Sequence, residues 1–127
     1  MESEPTRPGR TFFIVEDDPL VRAHAAIIFE DLGYPVVACD TAESALTAIE
    51  QDPGRALGLF TDVSLAGEAS GLLLARRVFA RWPWIHILVA SGQVLPQEED
   101  LPPMARFIAK PWIAEDVLVA LALDEGV

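Results

Sequence analysis

Residues 12–20 read FFIVEDDPL, in which four apolar residues run directly into three carboxylates. The apolar run has the length of a buried strand, Asp18 suits the N-cap of a helix, and Pro19 suits its first turn, where a missing N–H costs nothing. Three adjacent anions at the end of a buried strand repel one another, and desolvation adds to that cost. The stretch therefore predicts a strand-to-helix junction at which a cation is held.

Four more segments follow the same pattern of an apolar run next to a segment of helical period. The apolar runs are PVVAC (35–39), ALGLFTD (56–62), IHILVASG (85–92) and ARFIAKPW (105–112). Regular alternation of strands and helices is typical of a parallel sheet that is covered by helices on both faces. We therefore predict an α/β fold with a doubly wound, five-stranded parallel sheet.

Several local signals mark the expected helix ends. Asp40 and Glu43 have the spacing of a capping box, and Ser70 is suited to cap the helix that follows the third strand. Residues 93–104, QVLPQEEDLPPM, contain three prolines and a run of acids, which leave room for a turn or two of helix. The fourth helix of the predicted fold is therefore expected to be short or irregular.

The composition indicates one acidic domain. The chain has 127 residues, of which 51% are hydrophobic, and this suits a single domain with a full core. We place the domain at residues 11–123, between a flexible segment at 1–10 and a tail at 124–127, and expect it to stand alone. Asp and Glu outnumber Lys and Arg by 20 to 9, and the net charge of −11 disfavours binding to nucleic acid and to acidic membranes.

Cysteine content and hydropathy predict the location of the protein. Cys39 is the only cysteine, so it cannot form an internal disulfide, and the N-terminal sequence MESEPTRPGR lacks the apolar core of a signal peptide. No apolar run approaches the roughly 20 residues that span a bilayer. We expect a soluble cytoplasmic protein without membrane insertion.

Polar side chains stand at the ends of four of the five predicted strands. Ligands of doubly wound sheets bind beyond the carboxyl ends of the strands, which is where these side chains should lie. Each residue alone has a structural explanation, such as a turn for a serine or a solvated strand end for a lysine. Their convergence favours a shared site, composed of Glu16 and Asp17 on the first strand, Asp62 on the third, Ser91 on the fourth and Lys110 on the fifth.

These residue types suit phosphoryl chemistry. Carboxylates from two strands are hard oxygen ligands for Mg²⁺, in whose place Mn²⁺ could serve, and such ions commonly bridge to a phosphate. Asp62 beside the ion would act as a nucleophile toward a phosphoryl group and form an acyl phosphate. Lys110 would supply a positive charge and Ser91 a hydrogen bond to the phosphoryl oxygens. Gly92, which has no side chain, would leave Asp62 accessible.

The motifs together resemble the receiver domain of two-component response regulators, the CheY-like fold. The resemblance is carried by FFIVEDDPLVR (12–22), by Asp62 after an apolar strand, by VASG (89–92) and by FIAKPW (107–112), and it extends over residues 11–123. It implies a flavodoxin-like sheet with the strand order 2-1-3-4-5. It also implies a phosphoacceptor in a two-component signal transduction system.

The resemblance assigns a role to each site residue. Asp62 matches the aspartate that accepts phosphate from the histidine of a sensor kinase or a phosphotransfer protein. Glu16 and Asp17 match the acidic pair that holds Mg²⁺ together with Asp62, and Ser64 matches the position whose backbone carbonyl completes the metal site. The Mg²⁺ ligands implied by the family therefore come from the first and third strands and the loop after the third.

The resemblance also implies a switch. Ser91 matches the hydroxyl residue that moves toward the phosphate, Lys110 the lysine that pairs with it, and Phe107 the aromatic residue whose rotamer follows that movement. The signal would then pass to a downstream protein by protein–protein contact, and a homodimer is left open. The bond between Lys110 and Pro111 is usually cis in this family, which the sequence leaves undecided.

Two other functions are weighed against this interpretation. Phosphohydrolases of the haloacid-dehalogenase type also use a nucleophilic aspartate with Mg²⁺, but they usually carry a second acid two residues after it, where this chain has Ser64. A phosphate-independent interaction module would lack Asp62, Asp17 or Lys110, and all three are present. We expect a phosphoacceptor that is not an enzyme apart from slow loss of its own phosphate, with Ser64 and Gln93 tuning the lifetime of that phosphate.

Overall fold

The computed structural model describes residues 9–63, 65, 70–92 and 101–124. The described strands are β1 (Thr11–Val15), β2 (Val36–Cys39), β3 (Ala56–Asp62), β4 (His86–Ser91) and β5 (Arg106–Ala109). The described α-helices are α1 (Pro19–Asp31), α2 (Ala42–Gln51), α3 (Gly71–Arg81) and α4 (Ala114–Asp124), and a short 3₁₀ helix covers Pro53–Arg55. All strand pairs are parallel, and the order is β2-β1-β3-β4-β5. The predicted fold and strand order are confirmed.

The apolar run of β1 is explained by its place inside the sheet. Phe12, Phe13, Ile14 and Val15 are all fully buried, because β1 lies between β2 and β3 and both of its faces are covered by helices. Successive residues of a strand point to opposite faces, so each face receives two of these side chains. Burial of such a side chain contributes about 1.5–3 kcal/mol to stability.

The two faces of the sheet carry separate cores. Helices α2 and α3 cover one face through Ala45, Ile49, Leu74 and Val78, which pack with Phe13, Val15, Leu59 and Val89 of the sheet. Helices α1 and α4 cover the other face through Ala25, Phe29, Val117 and Leu121, which pack with Phe12, Ile14, Phe60 and Leu88. The central strands β1, β3 and β4 are thereby held from both sides, which fixes the positions of their ends.

The helix starts follow the predicted signals with one correction. Asp18 caps α1 by accepting hydrogen bonds from the N–H groups of Leu20 and Val21, and Ser70 caps α3. The capping box of α2 was placed one residue too early, because the cap is Thr41 rather than Asp40. Ser44 replaces the longer acid of the usual motif, and its hydroxyl is near enough to accept from the Thr41 N–H at 3.3 Å.

The proline-rich segment before β5 is described only in part. Residues 93–100, on which most of the expected short or irregular helix falls, lie outside the described residues, as do 1–8 and 125–127 at the ends. Residues 101–105 form a bend and a turn rather than a helix. None of the helices in the described part of the chain combines the length and the apolar character that a membrane span requires.

Candidate functional site

The parallel register brings the carboxyl ends of four strands to one edge of the sheet. Val15 at the end of β1 pairs with Thr61, Asp62 of β3 pairs with Ala90, and Ser91 of β4 pairs with Ala109. The residues that follow these pairs along β1 and β5 are Glu16 and Lys110. The polar side chains of the sequence analysis therefore share one edge of the molecule.

Asp62 and Lys110 form an ion pair at this edge. The Lys110 Nζ donates to Oδ2 of Asp62 at 2.9 Å. The Lys110 side chain is 31% exposed, and the Asp62 side chain is 14% exposed. A charge-assisted hydrogen bond of this length holds both groups in a defined geometry. Asp62 is thus accessible to a small reactant while it is neutralised on one side.

Glu16 lies beside this pair and is almost fully buried, with 6% of its surface exposed. Burial raises the pKa of Glu16 to about 7, although the N–H of Asp18, which donates to its Oε2 at 3.0 Å, opposes this. A side-chain hydrogen bond with Asp17 and the charge of Asp62 raise the pKa further, and the charge of Lys110 lowers it. Burial is therefore the main reason why Glu16 resists ionisation, and the neighbouring acids add to this effect.

The two remaining predicted residues lie on the last two strands. Ser91 is buried at the end of β4, and its backbone carbonyl accepts from the N–H of Lys110 at 2.9 Å. Phe107 is half-buried on β5 and lines a groove of about 400 Å³ between β5 and α4 that Val119 also lines. The peptide bond between Lys110 and Pro111 is cis. Phe107 therefore lines a groove that α4 also lines, whereas Ser91 lies at the edge that carries Asp62.

Ser64 and Gln93 lie outside the described residues. The predicted contribution of the Ser64 carbonyl to a metal site, and the predicted effect of both residues on phosphate lifetime, therefore remain predictions.

A small cleft opens next to the ion pair. It has a volume of about 30 Å³, and its walls include Glu16, Asp62 and Lys110. Helix α1 forms a further wall with Val21, His24 and Ala25, and the walls are completed by Phe60, Ala90 and Trp112. Sequence reasoning missed the α1 wall and Trp112, although the spacing of three and four residues from Val21 places the α1 residues on one helical face. The cleft has room for a reactant of a few atoms.

Two supporting residues were also missed. Arg22 of α1 donates through Nη1 to the backbone carbonyl of Glu16 at 2.8 Å. Gly71, the first residue of α3, packs so closely on β3 that an added Cβ would overlap the carbonyl oxygen of Asp62 and lie 2.9 Å from Oγ1 of Thr61. The six-residue spacing of Glu16 and Arg22 was a weak sequence signal for their contact, because it runs from the end of β1 to the second turn of α1.

The acids at this edge fit a hard divalent cation. Across residues 9–63, 65, 70–92 and 101–124, no three His, Cys, Asp or Glu side chains form a complete metal-binding group by themselves. Mg²⁺ does not need one, because it is usually bound through one or two carboxylates and completes its shell with water and phosphate oxygens. The carboxyl groups of Glu16 and Asp17, close to Asp62, are a donor set of that kind.

Comparison with known proteins agrees with this geometry. A family model described as response regulator receiver domain matches residues 12–122. A response regulator receiver protein from Sinorhizobium medicae WSM419 has a TM-score of 0.83 at 18% identity, with 94% of this chain and 96% of that chain covered. A response regulator receiver domain protein from Clostridium thermocellum has a TM-score of 0.79 at 15% identity, with 92% and 94% covered. The chemotaxis protein CheY4 of Vibrio cholerae has a TM-score of 0.75 at 18% identity, with 91% and 98% covered.

Proposed function

Because the chain belongs to the response regulator receiver domain family, we propose that Asp62 is the phosphoacceptor of a two-component signal transduction system. The donor would be a phosphohistidine of a sensor kinase or of a phosphotransfer protein. The observation that carries the proposal is the contact of Lys110 Nζ with Oδ2 of Asp62 at 2.9 Å, beside the acids of β1. A carboxylate that is accessible, paired with one cation and flanked by metal-ligand types is suited to accept a phosphoryl group.

The transfer step is a displacement at phosphorus. A carboxylate oxygen of Asp62 forms a bond to phosphorus while the bond from phosphorus to the donor nitrogen breaks, and the nitrogen keeps the electron pair. The product is an acyl phosphate on Asp62. Lys110 remains close enough to balance charge on the phosphoryl oxygens, and Ser91 supplies a hydroxyl that donates to one of them.

Glu16, Asp17 and Asp62 would hold Mg²⁺, or Mn²⁺ in its place, with the backbone carbonyl of Ser64 as a further ligand. When bound, the ion would neutralise charge on the phosphoryl oxygens and orient them. The position of Glu16 and Asp62 in the walls of one cleft supports this assignment, because carboxylate oxygens are ligands that Mg²⁺ prefers.

Phosphorylation would be read out at the surface formed by the segment after β4, by β5 and by α4. A shift of Ser91 toward the phosphoryl group would change the packing of Phe107 in the groove beside Val119. Leu118 and Val119 of α4 are 47% and 54% exposed, so the same surface offers apolar contacts to a downstream protein or to a second copy of the chain. The readout would be a population shift between two arrangements of this surface. The chain would then signal by binding, as a cytoplasmic phosphoacceptor without turnover of an external substrate.

The test is intact mass spectrometry after incubation with Mg²⁺ and either acetyl phosphate or phosphoramidate. The second donor carries a phosphorus–nitrogen bond, as phosphohistidine does. We expect one added phosphoryl group in the wild type, and none with Asp62→Asn or with EDTA. Labelling that persists in Asp62→Asn would place the acceptor elsewhere. Failure of both donors and of a sensor kinase to label the wild type would favour a phosphate-independent interaction module.

A further inference from the structure

We propose that Arg22 is a positioning residue that holds the pair of acids Glu16 and Asp17 in the geometry that binds Mg²⁺. The inference rests on the proposed function, since it concerns the metal site of the phosphoacceptor. It adds a residue outside the metal ligands and the phosphoryl contacts.

The contacts of Arg22 fix the peptide that carries the acids. Its Nη1 donates at 2.8 Å to the carbonyl of Glu16, which belongs to the peptide group between Glu16 and Asp17. The N–H of Glu16 itself donates to the carbonyl of Cys39 in β2 at 3.1 Å. The residue is thus held from β2 and from α1 at once. Of these two bonds, the one from Arg22 depends on a side chain and can be removed without changing the backbone.

The peptide needs such a restraint because the acids around it repel one another. Glu16 and Asp62 line the same small cleft, and Asp17 follows Glu16 directly, so ionised carboxylates are held close together here. Rotation of the peptide that joins Glu16 to Asp17 would relieve their repulsion by swinging the Asp17 carboxylate away. A charged donor on the carbonyl opposes that rotation more strongly than a neutral donor would. Arg22 therefore keeps the acids together at a point where their charges would drive them apart.

A purely electrostatic role for Arg22 predicts the opposite outcome. Burial raises the pKa of Cys39 at the end of β2, and the positive charge of Arg22 opposes this. The charge of Arg22 therefore acts on groups near the site. If charge were its only contribution, removal of the guanidinium would lessen the repulsion of Mg²⁺ and tighten binding. If Arg22 positions the acids, removal weakens binding. The sign of the change distinguishes the two roles.

The experiment compares the wild type with Arg22→Met, which keeps an apolar stem of similar length, and with Arg22→Lys. Arg77→Met is the matched control, because it removes one positive charge from an exposed position on α3. Mg²⁺ affinity is measured directly by calorimetry, and the Mg²⁺ concentration that gives half-maximal labelling by acetyl phosphate is measured in parallel. Thermal unfolding of each variant is followed alongside.

We expect Arg22→Met to raise the Mg²⁺ dissociation constant about tenfold, the lower end of the range for groups that orient metal ligands. The labelling rate at saturating Mg²⁺ should stay within about twofold of the wild type, since the reacting groups are unchanged. Arg22→Lys should lie between the two, at about threefold weaker binding, because an ammonium group donates without the planar fork of arginine. Arg77→Met should bind as the wild type does.

Any one of the following outcomes would overturn the inference. Unchanged or tighter Mg²⁺ binding in Arg22→Met would assign Arg22 a structural or electrostatic role only. A loss of labelling rate that saturating Mg²⁺ does not restore would show that Arg22 acts outside the metal site. A wild-type protein that binds no Mg²⁺ would overturn this inference together with the proposed metal site. If Arg22→Met does not fold, Arg22→Lys decides, and binding equal to or tighter than the wild type contradicts the proposal.

Discussion

Lys110 and Asp62 are 48 residues apart in the chain, and Nζ of Lys110 lies 2.9 Å from Oδ2 of Asp62. The two residues come from strands that are not neighbours in the sheet. Asp62 ends β3 and Lys110 follows β5, while β4 lies between these strands in the sheet. The contact therefore depends on the register of three parallel strands, which are joined by two ladders of hydrogen bonds. A pair built in this way is positioned before any reactant arrives, which is the condition for efficient electrostatic stabilisation of a transition state.

Lys110→Met should slow labelling of Asp62 by acetyl phosphate by about 10²-fold at saturating Mg²⁺, the typical effect of removing one donor from a developing negative charge. Lys110→Arg keeps the charge and should lose much less. The measurement is the initial rate of mass increase, with Arg77→Met as a variant of equal net charge. A rate for Lys110→Met within about twofold of the wild type would contradict a role for the ammonium in the transfer.

The sequence predicted the strand ends well because each is marked locally. The run FFIV of β1 ends at acids, β3 ends at Asp62, and FIAKPW turns polar at Lys110, so the sheet edge could be assembled from patterns a few residues long. The walls of the cleft could not be predicted from such patterns, because they depend on the distance between α1 and the sheet. The packing of Ala25 and Phe29 on the strands sets that distance, and no short sequence motif marks such packing.

The same limit applies to the residues that support the site. Nothing in the sequence around Gly71 shows that the carbonyl of Asp62 would lie so close to its Cα. Arg22 lies six residues after Glu16, and only the fold brings its guanidinium to the carbonyl of that residue. The predicted cap of α2 was wrong by one residue because Thr41 and Asp40 are both good caps, and the backbone geometry decides between them.

Gly71→Ala should destabilise the protein by about 1–3 kcal/mol and slow the labelling of Asp62, because the new Cβ would displace the end of β3. Gly54→Ala is the matched control, since its Cβ would meet only Oδ1 of Asp52 at 3.8 Å. Urea unfolding gives the stability, and labelling by acetyl phosphate gives the activity. Equal stability of the two variants would show that α3 can move away from Asp62 without cost.

Asp18→Ala should lower the free energy of unfolding by about 1 kcal/mol, because α1 loses a carboxylate that accepts from the N–H groups of Leu20 and Val21. Asp18→Ser keeps a capping oxygen and should recover most of that loss. The N–H of Asp18 still donates to Glu16 in both variants, so labelling at saturating Mg²⁺ should change little. A serine variant as unstable as the alanine variant would show that the charge, rather than the cap, stabilises the helix.

In Mg²⁺-free buffer with EDTA, the stability of the wild type should fall as the pH rises between about 4.5 and 7. The pKa of Glu16 is raised from 4.5 to about 7 in the folded protein, so across this window the folded state keeps a proton that the unfolded state releases. Glu16→Gln should flatten that slope, by about 3 kcal/mol at most over the full window. Urea unfolding at several pH values measures it, with Glu30→Gln on the exposed end of α1 as the control for loss of one charge. Parallel slopes for the wild type and Glu16→Gln would mean that Glu16 ionises in the folded state at its ordinary pKa.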